Sequence, residues 1–332
     1  MNRIEKLRQA ALNRTHTNCE FFYRFYKRYG EYNGGADYLR YADAFYHAFC
    51  ETSPSISDGE LIVGETTDGL TDLEREEWLN TYKKIATDSH DRAGGGQDSH
   101  MAIDYELLLS CGLNGIIARI EERERSCRPD QADFYAAAKT CLLAVERHAE
   151  NYSKHAMRLA EKEADDSRKA ELLEIARICR KVPAMPAESF YEAVQSVHFV
   201  TYCLSLNPLR TWHQQFQLGH PDRYLYPYYK NDIEKGILTK QQAQLMLDCL
   251  GIQINMRVPS GLSCGYMVGG RGENGEIVAN ELTEMLMQVI DDSQAKIKDF
   301  ASSPRGRAKI PPCSGVLYIV QSIKNFYAVH CV

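Results

Sequence analysis

The sequence predicts a mainly α-helical protein with a little β structure appearing late, and three observations predict it. Apolar residues recur at three- and four-residue steps through most of the middle of the chain. Prolines and capping patterns bound these periodic runs. The one strand-like stretch, Cys264 to Gly270, lies near the end and runs into a glycine turn.

The clearest helix spans Asp133 to Lys162. Phe134, Ala138, Cys141, Val145, Ala149, Tyr152, Ala156 and Leu159 form one apolar stripe there, with charge on the other faces. A second helix, from about Arg168 to Lys181, is stopped by Pro183. A third begins after Pro186 with Glu188 in its first turn. It is apolar nearly all round through Val197, Phe199 and Val200, as a buried helix is. Leu238 to Asn255 starts with a capping box, Thr239 with Gln242, and Leu238 is placed to staple onto Ala243. After the strand-like stretch, Gly272, Asn274 and Gly275 make a turn into a helix from about Ala279 to Ile290.

Composition narrows the function classes. The chain has 332 residues, 44% hydrophobic and 25% charged, which is ordinary for a chain with a sizeable core. A net charge of −6 argues against a nucleic-acid partner. No apolar run is long enough to span a membrane, and Met1–Arg14 is charged without an apolar signal segment, so a cytoplasmic location is expected. None of the 11 cysteines forms a CxxC pair or an iron–sulfur spacing, so reduced, mostly buried thiols are expected. Gly94-Gly95-Gly96 lacks the Lys-Ser/Thr of a phosphate loop, and His213 and His220 share no helical face, so no metal site is expected.

Composition also changes near the end. Beyond Asp292 there are six basic residues and one acidic, so the tail is +5 (6 − 1) and the body −11 (−6 − 5). Helical periodicity stops, and the loop-like run Ser302-Ser303-Pro304-Arg305-Gly306 appears. Residues 1–292 read as one body and 293–332 as a divergent basic tail. The break cuts an element mid-pattern, which favours a frameshifted end over a native tail.

Four stretches carry a resemblance, in a fixed order. They are Ser57-Asp58-Gly59-Glu60-Leu61-Ile62-Val63-Gly64, then His100-Met101-Ala102-Ile103-Asp104-Tyr105-Glu106 with Leu113-Asn114-Gly115-Ile116. Gly219-His220-Pro221-Asp222-Arg223-Tyr224-Leu225-Tyr226-Pro227-Tyr228-Tyr229 and Gly269-Gly270 with Asn280-Glu281-Leu282 complete the set. Together they resemble the front portion of pyruvate formate-lyase-like glycyl radical enzymes, over roughly Arg3 to Ile290. Three departures stand out: Ser99 replaces a glycine, His220 an arginine and Arg223 a glutamine of the family pattern.

The resemblance implies a helical shell plus the first elements of an incomplete ten-stranded β/α barrel. It implies anaerobic lyase or dehydratase chemistry on a small polar substrate by radical C–O, C–C or C–N cleavage, with the dehydratase branch favoured. A radical-SAM activating enzyme would install a glycyl radical on the full-length enzyme, which is commonly a homodimer. No bound cofactor is expected for this chain. The thiyl cysteine and radical glycine loops fall beyond the resemblance, and neither Cys313 nor Gly306 has the right surroundings, so the chain is expected to be inactive alone and poorly soluble. Substrate-pocket candidates by resemblance are His100, His213, Gln214 and Asp222. His100 is suited to donate a proton to a departing hydroxyl. Without the resemblance, His100 is a loop histidine before a helix, and His213 and Gln214 are ordinary loop residues. Asp222 is better suited to orient backbone than to move protons. The run Tyr224, Tyr226, Tyr228, Tyr229 reads as packing around Pro227. The alternative to an enzyme fragment is a non-catalytic subunit or helical interaction protein that pairs with a separate C-terminal chain.

Overall fold

The computed structural model describes residues 2–13, 19–66, 68–86, 102–206, 208, 217–257, 266–272 and 274–289. In chain order the helices are α1 (Arg3–Asn13), α2 (Cys19–Glu31), α3 (Asp37–Glu51) and α4 (Asp72–Glu77), which runs into a π-helical turn (Trp78–Tyr82). They continue as α5 (Tyr105–Glu124), α6 (Ala132–Ala160), α7 (Asp166–Lys181), α8 (Phe190–Ser205), α9 (Pro221–Tyr224), α10 (Tyr226–Glu234), α11 (Lys240–Arg257) and α12 (281–289). The chain divides into two compact units, one made of Thr15–Gln97 and Asp104–Gln214, the other of Met1–Arg14, Asp98–Ile103 and Gln215–Val332.

In the first unit α6 packs between α3 and α7. Its buried stripe includes Ala137, Ala144, Ala149, Ala156 and Ala160, small residues that let neighbouring helices approach closely. The stripe is rotated from the expected one: Phe134 is exposed, and His148 and Ser153 are buried. Ser153 is matched, its Oγ donating to the Ala176 carbonyl at 2.7 Å, and His148 Nε2 lies 2.6 Å from Gly64 O. Helix α8 is buried on nearly every face, as its composition predicts. It starts later than expected. Ser189 is its N-cap and Glu188 lies outside, while Glu192 in the first turn is buried and takes Lys181 Nζ at 2.8 Å and Arg177 Nη1 at 2.9 Å.

Residues 57–66 form an extended stretch whose backbone is satisfied by side chains. Gln195 pairs with both the N–H (3.0 Å) and the C=O (2.6 Å) of Val63, as a neighbouring strand would. Tyr191 donates to Leu61 O at 2.5 Å, Tyr152 to Glu65 O at 2.8 Å, and Arg168 to the carbonyls of Ser57 and Glu60. Gly64 is required here, because its φ is +139° and a Cβ would sit 2.8 Å from the Phe199 ring. Gly112 has a similar reason. It breaks α5 at φ +65°, letting Leu113 N and Asn114 N donate to Pro183 O and Ala184 O, and a Cβ would meet Ala184 O at 2.5 Å.

In the second unit α11 has its expected start: Thr239 and Gln242 bond reciprocally, Gln242 N to Thr239 Oγ1 at 3.2 Å and Thr239 N to Gln242 Oε1 at 2.9 Å. The expected strand Cys264–Gly270 is corrected. Cys264 and Gly265 lie outside the described residues. Residues 266–270 join no ladder, and among the described residues the one β pairing is an isolated bridge between Arg271 and Ile277. The reason is that the partners of this stretch arrive singly from different segments. Met267 N donates to Gly219 O, Gly269 N to Asp222, and Val278 N to Gly270 O. The tail from 290 onward lies outside the described residues.

Candidate functional site

Within the second unit the Gly219–Tyr229 and Gly269–Leu282 stretches meet at Asp222. Pro221 occupies the first turn of the short helix α9, where its missing N–H is no loss, and Asp222 follows it. Asp222 is completely buried. Its Oδ2 accepts from Gly269 N at 2.6 Å and from Thr283 Oγ1 at 2.7 Å. Asn280 reinforces the joint: its Nδ2 donates to Asp222 O at 2.7 Å, and its Oδ1 accepts from Leu282 N, starting α12. Arg223 closes the other side with Nη2 donating to Gly269 O at 3.0 Å. Gly269 and Gly270 both have left-handed backbone, at φ +64° and +87°, which allows the stretch to bend into these partners.

Three polar atoms of this cluster are buried without a hydrogen-bond partner among the described residues: His220 Nδ1, Asp222 Oδ1 and Arg223 Nε. His220 Nδ1 lies 4.0 Å from Asp222 Oδ1, and the His220 side chain is 30% exposed. Partial burial lowers the His220 pKa from its ordinary value, with Arg223 adding to the effect and Asp222 opposing it.

The aromatic run serves packing and bonding, but Pro227 is exposed and does not bury it. Tyr224 donates to Leu218 O at 2.9 Å and Tyr229 to Glu281 Oε2 at 2.8 Å. Lys240 Nζ, 2.6 Å from Glu281 Oε1, holds that carboxyl below the usual range, helped by Tyr229.

His100, His213 and Gln214 lie outside the described residues, so of the four sequence candidates the structure places Asp222 alone. Sequence reasoning missed Thr283 and Asn280 as its partners. The available signal was the Asn280/Thr283 spacing, which marks a helix start. It also passed over His148 in the first unit. That ring is fully buried, its Nε2 is 2.6 Å from Gly64 O, and burial pushes its pKa down to about 4 against the pull of the Gly64 carbonyl. Among the described residues no group of three or more His, Cys, Asp or Glu side chains is placed to hold a metal, and no helix is long and apolar enough to cross a membrane.

Comparison with known proteins gives these stretches a common context. Isethionate sulfite-lyase of Bilophila wadsworthia is 33% identical over 62% of this chain and 27% of its own length. Trans-4-hydroxy-L-proline dehydratase of Clostridioides difficile is 26% identical over 87% of this chain and 46% of its own length. The crystal structure of a glycyl radical enzyme from Archaeoglobus fulgidus superposes with a TM-score of 0.76 at 27% identity, covering 88% of this chain and 46% of that one. The chain thus spans less than half the length of these relatives. The family described as pyruvate formate lyase-like matches residues 67–297, more than half of the sequence, and the chain belongs to that family.

Proposed function

We propose that the chain is the N-terminal portion of a glycyl radical lyase or dehydratase acting on a small polar substrate. The single observation that carries this is the ordered set of family stretches, two of which join through the buried Asp222 contacts to Gly269, Asn280 and Thr283. The relatives support the reaction class, since their names pair a small polar substrate with its dehydration or with a sulfite-lyase activity. On this reading the described helices belong to the shell, and the stretch after residue 265 leads into the barrel.

In the complete enzyme a glycyl radical, passed to a cysteine, would supply hydrogen abstraction from the substrate. The residues of this chain bind, orient and move protons. His100 donates a proton to the departing group, which a neutral-range imidazole does well. His213 and Gln214 hold polar groups of the substrate by hydrogen bonds. Asp222 acts at one remove, by holding the Gly269–Gly270 turn that shapes the pocket wall. The surrounding shell excludes water from the reacting centre.

The test is to sequence the gene through the codons for Val289 to Lys298 and several hundred bases beyond. The expected result is a downstream frame encoding a cysteine loop and a terminal glycine loop. A genuine stop after Val332 with no second half removes the catalytic reading and leaves a non-catalytic subunit.

A further inference from the structure

We propose that His220 and Asp222 form a histidine–carboxylate pair, in which the buried carboxylate orients the ring so that Nε2 is the atom available to exchange a proton or accept a hydroxyl hydrogen bond. The inference deepens the function proposed above and rests on it only for the nature of the ligand. Neither that proposal nor the sequence reading gives His220 a role.

The geometry argues for the pair in three steps. First, Asp222 Oδ2 is saturated by Gly269 N and Thr283 Oγ1, so the carboxylate is fixed in place and the direction of Oδ1 is set. Second, Oδ1 and His220 Nδ1 are both buried, both unpartnered among the described residues, and 4.0 Å apart. Two buried polar atoms left open in this way attract each other's hydrogen bond, and a rotation of the imidazole by about 1 Å at Nδ1 closes the gap; such contacts are often long before a ligand binds. Third, Nδ1 is buried while the side chain as a whole is 30% exposed, and Nε2 is not among the buried atoms left without a partner. A ring that donates Nδ1–H to a carboxylate presents Nε2 as an acceptor.

The charged neighbours suit an exchangeable proton. Arg223, one residue beyond Asp222, disfavours a permanent charge on the ring, and Asp222 favours it. Of the other charged side chains of the adjoining stretch and helix, Arg271 bonds Gly275 O, Glu276 accepts from Asn274 N, Glu281 is taken by Lys240 and Tyr229, and Glu284 is exposed. Arg223 Nε, buried and unpartnered among the described residues, is a further open donor on the same short segment.

The experiment uses the full chain with selective nitrogen-15 histidine labelling, the His220 signal being assigned by its loss in His220→Gln. The expected result is the Nδ1–H tautomer at neutral pH in the wild-type chain, a reading that needs no variant to fold. Asp222→Asn should abolish the tautomer preference and move the ring's titration midpoint further down. An Nε2–H tautomer in the wild type, or an unchanged midpoint in a folded Asp222→Asn chain, overturns the pair. A second arm measures carbethoxylation of His220 with and without 1,2-propanediol. Several-fold protection supports a hydroxylated ligand at Nε2. Reaction at the same rate, with the Nδ1–H tautomer present, leaves the pair standing and counts against the dehydratase reading of the ligand.

Discussion

Two irregular stretches of this chain solve the same problem in opposite ways. Residues 57–66 run extended through the helical unit, and Gln195, Tyr152, Tyr191, Arg168 and His148 supply partners to their backbone. The joint at 219–223 and 269–283 is also buried and hydrogen-bonded, but it leaves His220 Nδ1, Asp222 Oδ1 and Arg223 Nε open. In the extended stretch the backbone groups named above already have side-chain partners, and that makes it a scaffold. A cluster that keeps open polar atoms on three residues of one short segment retains free energy for something else to bind or move. The difference separates a backbone held by side-chain partners from a joint that keeps side-chain polar atoms open.

The sharpest way to break the comparison is Gln195→Leu. It leaves both the N–H and the C=O of Val63 buried and unpaired. At about 1–3 kcal/mol for each group, a loss of about 4 kcal/mol is expected in chemical denaturation. A loss under about 1 kcal/mol would show that the stretch does not depend on its side-chain partners.

The next effect is a pH dependence from His148, ringed by Phe49, Tyr152, Phe199 and Tyr202. Its pKa falls from the ordinary 6.5 to about 4 in the fold. The unfolded chain therefore binds the proton first as pH drops. The stabilisation is fully present above pH 6.5 and is lost as pH falls towards 4, by about 3 kcal/mol in all. His148→Gln should flatten the melting temperature across that window.

Tyr152→Phe tests the same stretch more gently. The hydroxyl donates to Glu65 O at 2.8 Å and accepts from Ser55 N at 3.2 Å, so about 2 kcal/mol should be lost in urea unfolding. In the other region Thr283→Val removes one donor to a carboxylate oxygen that keeps Gly269 N. About 1 kcal/mol is expected, with faster amide exchange at Gly269 as the local sign. If Thr283→Val proves as damaging as Gln195→Leu, the joint is as much a scaffold as the extended stretch.

The helices were legible because their signals are local. The Thr239/Gln242 capping box and the stop of α7 before Pro183 depend on residues a few positions apart, and both are found where expected. The burial of α8 was legible for the same reason, since its composition leaves no polar face. The stripe of α6 was only half legible. Apolar spacing selected Phe134, but burial selected His148 and Ser153, whose partners Gly64 and Ala176 are distant in sequence. The strand expected at Cys264–Gly270 failed on the same ground, because a strand needs a ladder partner and the bonds of residues 266–270 come from Gly219, Asp222 and Val278.

The sequence by itself determined the family, through ordered stretches whose spacing is visible in one dimension, and the helices, through a period that each segment carries alone. Only the tertiary structure decided that Asp222 is a buried anchor, that Thr283 and Asn280 hold it, and that His220 faces its free oxygen. Those relations join residues up to 61 positions apart. A hydrogen bond depends on distances of about 3 Å and on direction, which chain spacing does not encode once the backbone turns between the partners.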